Sequence, residues 1–120
     1  ATGSTTYTVP TDITKLLVFI TGGGGGGGDG DTVQGCGAVA GTTVIARVTV
    51  VADDTITIAV GAGGTVSGSY GYDGNIGGDS TFTHASGSGS GSMSTITAPG
   101  GKPGRYNAAV VARRWNCWCK

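Results

Sequence analysis

The sequence predicts an all-β protein, a small antiparallel β-sandwich with long glycine-rich loops. Three observations support this prediction. The 120 residues include no Glu, and Leu occurs only at Leu16 and Leu17, whereas long helices are built mainly from Leu, Glu, Lys, Gln and Arg. Val, Ile and Thr, whose branched side chains favour strands, dominate the apolar segments. Gly accounts for 26 residues, roughly three times its usual share, so the connections between strands must be rich in glycine.

The N-terminal third contains two predicted strands and a glycine tract. Residues 7–9 form a short strand that Pro10 ends. Lys15–Thr21 is the most apolar segment, and a short continuous apolar run between turn residues is typical of a strand covered on both faces. Residues 22–28 are seven consecutive glycines. This tract is either a flexible linker or an ordered, extended segment of polyproline II type that packs closely against other backbone.

The middle of the chain shows the clearest alternation. In residues 43–51 the pattern places Val44, Ala46, Val48 and Val50 on one face, and the alternation resumes at residues 55–60. Asp53 and Asp54 lie between the two segments as turn residues. Two alternating runs joined by a short polar turn are typical of a β-hairpin, and we predict one here.

Later segments are shorter and weaker. Strands are predicted near residues 81–83 and 94–98, and a weakly alternating segment at 105–113 favours an edge strand. The composition then changes abruptly at the C-terminus. We therefore divide the chain into a glycine-rich β domain, residues 1–104, and a C-terminal edge strand with a tail rich in Trp, Arg and Cys, residues 105–120.

The order of these segments resembles the glycine-rich domain of phage tail fibres and related virion surface proteins. The resemblance spans about residues 5–104 and rests on strand ends that run directly into glycine tracts. The matching segments are Tyr7-Thr8-Val9-Pro10, Ile13-Thr14-Lys15-Leu16 with the tract that follows, residues 55–64, residues 77–82 and residues 96–101. The resemblance implies a small β-sandwich on a phage particle. In some members of that family the tracts pack as polyglycine helices that present receptor-binding loops.

Composition argues against nucleic-acid binding, membrane insertion and catalysis. Seven Lys and Arg balance seven Asp, whereas nucleic-acid binders usually show a basic face. The longest apolar run, residues 16–20, is far shorter than a bilayer span of about 20 residues. The chain offers one His and no Glu for acid–base chemistry. We interpret that residue, His84, as a solvated loop histidine, and we predict no catalytic residues.

We also predict no cofactor and no bound metal. Residues 61–64 follow a strand as phosphate loops do, but no helix-forming segment follows them. Residues 73–79 resemble a calcium loop, yet His84 stands where the bidentate Glu belongs. The Cys-x-Cys pair at the C-terminus is shorter than the usual zinc spacing. We expect Cys36, Cys117 and Cys119 to be reduced thiols in a cytosolically assembled protein. The alternative, after exposure to air, is a disulfide from one of the two tail cysteines to Cys36 or to a neighbouring chain.

The tail and one loop have the composition of a binding surface. Trp and Arg are over-represented among interface residues whose truncation weakens binding most, and the chain's two Trp lie beside a pair of Arg. Alternatively, the tail folds back over its own sandwich and covers an open edge. Tyr in a Gly/Ser/Asp context is typical of binding loops. The predicted partner-binding residues are Tyr70, Tyr72, Arg113, Arg114, Trp115 and Trp118.

These observations lead us to expect a non-enzymatic structural protein on the surface of a phage virion, a capsid decoration or accessory subunit. The alternative is a tail-fibre or tail-tip adhesin that binds a bacterial surface receptor through its Gly/Tyr-rich loops. Expected partners are other virion subunits and further copies of the chain, with a host receptor under the alternative. The N-terminus has neither the basic region nor the apolar block of a signal peptide, which predicts synthesis in the host cytoplasm.

Overall fold

The all-β prediction is confirmed. The computed structural model describes residues 2–29, 35–66, 71–86 and 94–106, and within these residues the regular structure is entirely strand. The six strands are β1 (Gly3–Thr8), β2 (Lys15–Thr21), β3 (Thr43–Thr49), β4 (Thr55–Val60), β5 (Ser80–Ser86) and β6 (Ile96–Ala98).

Two antiparallel sheets pack as a small sandwich. One sheet has four strands in the order β1-β4-β5-β6, and the other consists of β2 and β3. Alternate apolar residues of β2, β4 and β5 point between the sheets, as the strand period of two requires. The buried apolar core is Val9, Val18, Ile20, Val50, Ile56, Phe82 and Ala98. Because this core is small, polar contacts at the ends of the sandwich matter for stability.

The predicted hairpin of residues 43–51 and 55–60 is wrong. β3 pairs with β2, whereas β4 pairs with β1 and β5, so the two segments lie in different sheets. Residues 51–54 carry the chain from one sheet to the other, and Asp53 takes a left-handed conformation there with φ of 66°, which Asp tolerates better than most residues. Alternation and a polar turn describe each strand correctly, but they do not specify its partner.

Asp54 fixes this crossover. The residue is 3% exposed, and its Oδ2 accepts a hydrogen bond from the Val51 N–H at 3.0 Å. The Val9 N–H donates to the backbone carbonyl of Asp54 at 2.9 Å. Asp54 Oδ1 lies 3.4 Å from His84 Nε2. His84 is therefore a half-buried residue of β5, and its interpretation as a solvated loop histidine is wrong, because the strand continues further than its Thr-rich centre indicates.

Replacing Asp54 by Ala should lower the free energy of unfolding by about 1–3 kcal/mol, because the Val51 N–H would lose its acceptor in a partly buried turn. Urea denaturation followed by circular dichroism measures the effect. Asp12→Ala, in the exposed turn before β2, is the matched control and should leave the free energy unchanged. Equal effects of the two substitutions would show that the Asp54 carboxylate does not hold the crossover.

Within the described residues, the prediction that Lys15–Thr21 is covered on both faces is wrong. Exposure alternates along β2: Val18 and Ile20 are buried, whereas Phe19 is 66% exposed. The reason is that no described element packs on the outer side of the two-stranded sheet.

Candidate functional site

Five glycine-rich segments extend the sandwich at one end. Each is continuous with a strand, and together they contribute to an elongated shape with extents of 62 × 24 × 18 Å. We name them in chain order: rod 1 is residues 22–29 after β2, rod 2 is 36–42 before β3, rod 3 is 61–66 after β4, rod 4 is 72–79 before β5, and rod 5 is 99–105 after β6.

Rod 1 forms hydrogen bonds with a period of three residues. Its N–H groups at positions 22, 25 and 28 donate to rod 2, at the carbonyls of Thr42, Val39 and Cys36, over 2.9–3.0 Å. Those at 23, 26 and 29 donate to rod 4, at the carbonyls of Gly78, Asn75 and Tyr72, over 2.8–3.2 Å. Three residues per turn is the period of polyproline II. The ordered alternative for the glycine tract is therefore the correct one, and the flexible linker is excluded.

Four rods enclose rod 1. Its carbonyls accept hydrogen bonds from the N–H groups of Gly101 and Gly104 in rod 5 and of Gly64 in rod 3. The surrounding rods also bond to one another: rod 2 to rod 5, rod 5 to rod 4, and rod 4 to rod 3. The bundle is thus held together by backbone hydrogen bonds, and it needs few side chains to stay ordered.

Glycine is required in rod 1 because of space. A Cβ atom added at positions 22, 25 or 28 would lie closer than 3.0 Å to the backbone of rod 5, and one added at 23 or 26 would meet the backbone of rod 3 in the same way. At Gly24 no heavy atom lies within 4 Å of that point. None of these glycines has positive φ, so an alanine would fit the backbone conformation. Two of every three positions are therefore restricted to glycine by packing alone.

Two side chains tie the rods to the strands. Ser80, at the start of β5, is 2% exposed. Its hydroxyl donates to the carbonyl of Thr21 at 2.8 Å and accepts the N–H of Gly61 at 2.9 Å. The neighbouring Asp79 accepts the Gly100 N–H at 2.9 Å through Oδ1. These contacts fix the points at which rods 1, 3 and 5 leave the sandwich.

The far end of the rods, which we call the tip, gathers several chain segments. The Asp29 N–H donates to the Tyr72 carbonyl at 3.2 Å, and the Tyr106 N–H donates to Asp73 Oδ1 at 2.7 Å. Gly35 pairs with Tyr106 as an isolated bridge. The segments 30–34, 67–70 and 107–120 are therefore all joined to the described residues at the tip, about 22 Å beyond the strands for a seven-residue rod.

The structure places one of the predicted partner-binding residues. Tyr72 lies at the tip with 61% of its surface exposed. The other predicted partner-binding residues, Tyr70, Arg113, Arg114, Trp115 and Trp118, lie outside the described residues, as do Cys117 and Cys119.

The segments considered for cofactors and metals have other roles in the fold. Residues 61–64 belong to rod 3, and residues 73–79 belong to rod 4. The Asp73 carboxylate accepts a backbone hydrogen bond instead of pointing into a loop centre. Within the described part of the chain, no three His, Cys, Asp or Glu side chains form a group that could hold a metal ion. The described residues likewise include no helix of the length and hydropathy needed to cross a bilayer.

A second surface was not found by sequence reasoning. The outer side of β2 and β3 exposes Leu17 at 56%, Phe19 at 66% and Ile45 at 61%. Lys15 and Arg47 lie on the same side, since alternate residues of a strand share a face. We call these five residues the β2–β3 outer face. The uninterrupted apolar run of β2 is the available signal: it predicts cover on both faces of the strand but does not identify what supplies the cover.

A β-sandwich extended at one end by hydrogen-bonded glycine-rich rods defines a glycine-rich β module. The family model for the glycine-rich domain matches residues 1–115, and the chain belongs to this family. No curated protein and no solved structure matches the chain significantly.

Proposed function

We propose that the protein is a non-enzymatic structural protein on the surface of a phage virion, where it serves as a capsid decoration or accessory subunit. The observation that supports this most directly is the bundle of rods, which holds the tip away from the sandwich through backbone hydrogen bonds. Such a bundle has the properties of a spacer that presents loops to another surface. The resemblance of the chain to glycine-rich virion proteins supplies the phage context.

The tip is suited to partner binding because folding imposes few demands on its side chains. The rods are ordered by backbone contacts, and the segments 67–70 and 107–120 continue along the chain from described residues at the tip. Tyr72 is exposed at this end of the molecule. We propose that these segments contact neighbouring virion subunits through Tyr and through the Trp and Arg residues of the tail.

A tail-associated adhesin is the second proposal, and one observation favours it. Near the tip, Val66, Tyr72 and Ile76 are 64%, 61% and 66% exposed. Tyr in a setting rich in Gly and Asn is typical of loops that bind a partner, and neighbouring exposed apolar side chains mark interaction surfaces. In this case the tip would point away from the particle and bind a bacterial surface receptor.

Imaging of reconstituted particles separates these proposals. Labelled protein is added to purified phage particles whose copy of the gene has been deleted, and bound protein is located by electron microscopy. Regular occupancy of the head supports decoration, and binding confined to the tail supports adhesion. Binding to neither would reject the virion proposal. Tyr72→Ala should reduce binding, whereas Tyr7→Ala, on β1 at the other end of the molecule, should not.

Trp115→Ala and Trp118→Ala should each weaken rebinding by about 2 kcal/mol or more, roughly a 30-fold rise in Kd, because buried interface Trp residues contribute most to affinity. The melting temperature of the isolated chain should stay unchanged. A loss of thermal stability with unchanged rebinding would instead show that the tail packs on its own sandwich.

A further inference from the structure

We propose that the β2–β3 outer face is a self-association surface on which a second copy of this chain docks. The inference goes beyond the proposed virion function and does not depend on it. β2 has the uninterrupted apolar sequence of a strand that is covered on both faces, yet the described residues cover only one. A strand of this composition therefore indicates a partner on its other side.

The contrast with the second sheet strengthens this inference. The outer side of the four-stranded sheet is made of small or hydroxylated residues, with Thr57 paired to both Thr6 and Thr83. The two-stranded sheet follows the same rule at one end, where Thr21 pairs with Thr43. The β2–β3 outer face differs: Phe19 lies directly opposite Ile45, and Leu17 is two residues away. Adjacent exposed apolar side chains of this size mark interaction surfaces more often than single ones do.

Charge favours a second copy over the chain's own tail as the occupant. Lys15 and Arg47 are the charged residues of the face, and the tail is itself basic, with Arg113, Arg114 and Lys120. Docking the tail there would bring like charges together in a partly desolvated contact, which is costly.

A two-fold arrangement of two copies avoids this conflict. The two-fold axis lies in the plane between the two outer faces and runs perpendicular to the strands. Each strand then lies antiparallel over the same strand of the second copy. Leu17 then faces Phe19 of the second copy, and Ile45 faces the aliphatic part of its Arg47. Lys15 faces Thr21 of the second copy. Each cation is opposed by an uncharged side chain, and the apolar residues form a continuous centre.

The size of the face predicts a weak dimer. Two strands of seven residues cover an area of roughly 24 × 10 Å, well below the 800 Å² or so that each partner buries in a standard interface. We therefore expect association in the micromolar range or weaker in solution.

Analytical ultracentrifugation of the intact chain under reducing conditions tests the proposal. Between about 1 µM and 1 mM, a range that spans weak interfaces, the wild-type sedimentation coefficient should rise with concentration. Phe19→Asp should raise the dimer Kd at least about 30-fold, as expected for a central interface residue. Ile45→Thr, which keeps a β-branched residue in the strand, should weaken association in the same direction. Thr57→Asp, on the outer side of the other sheet, is the control and should leave the Kd unchanged.

Three results would overturn the proposal. The first is a chain that remains monomeric at all concentrations, and the second is an association that neither Phe19→Asp nor Ile45→Thr affects. The third is occupation of the face by the tail. Both Trp residues of the chain lie in the tail, so Trp fluorescence reports on the tail. If the tail occupied the face, the Trp emission of the dilute monomer would be blue-shifted, and it would shift to the red in Phe19→Asp. An unchanged circular dichroism spectrum confirms that each variant is folded.

Discussion

Gly25→Ala should lower the free energy of unfolding by about 3 kcal/mol, whereas Gly24→Ala should leave it unchanged or raise it by up to about 1 kcal/mol. At position 25 the new methyl group meets the backbone of Lys102 in rod 5, and the cost of overpacking is high where backbone cannot move aside. At position 24 the methyl group enters open space. Alanine also reduces the entropy of the unfolded chain, which favours folding at a compatible site.

Chemical denaturation followed by circular dichroism gives both free energies, and the adjacent positions serve as controls for each other. The next two positions should repeat this contrast. Gly26→Ala should destabilise the protein as Gly25→Ala does, because its methyl group meets the backbone of rod 3, whereas Gly27→Ala should be tolerated as Gly24→Ala is. If all four substitutions had equal effects, the glycine tract would not be packed at the centre of a bundle.

Ser80→Ala should destabilise the protein by about 2–3 kcal/mol. The substitution removes one hydroxyl that serves two backbone groups, the carbonyl of Thr21 and the N–H of Gly61. Both groups lie at points where a strand becomes a rod, and a polar group left unsatisfied in a buried position costs about 1–3 kcal/mol. Thermal or urea unfolding measures the loss.

Ser4→Ala is the matched control, because Ser4 is exposed on β1 and should tolerate the change within about 0.5 kcal/mol. A small effect of Ser80→Ala, similar to that of the control, would show that the hydroxyl does not link the sandwich to the rods. Asp79→Ala should fall between the two, because its bond to Gly100 is more exposed than those of Ser80.

Strand positions were largely predictable from local pattern. β2 and β4 match the predicted segments, and β3 begins where its alternation begins. β5 extends beyond the predicted segment at both ends, since Ser80 and His84 gave no apolar signal. The pairing of β3 with β2 was not predictable, because an alternating strand fits any partner that presents an apolar face.

For the candidate site, the sequence predicts Tyr72 as a partner-binding residue, and this stays a prediction. The structure adds that Tyr72 lies exposed at the tip. The β2–β3 outer face was missed because an apolar run indicates that a strand is covered on both faces, but it does not say whether the cover belongs to the same chain.

The amino-acid sequence alone determined the all-β class and the location of most strands, since both follow from local side-chain preferences. It also restricted the glycine tract to two alternatives. Only the tertiary structure decided between them, because the order of rod 1 depends on four neighbouring rods that are distant along the chain. The tertiary structure alone likewise showed that Phe19 is exposed and that Asp54 is buried. Packing depends on which segments meet in space, and a local pattern does not contain that information.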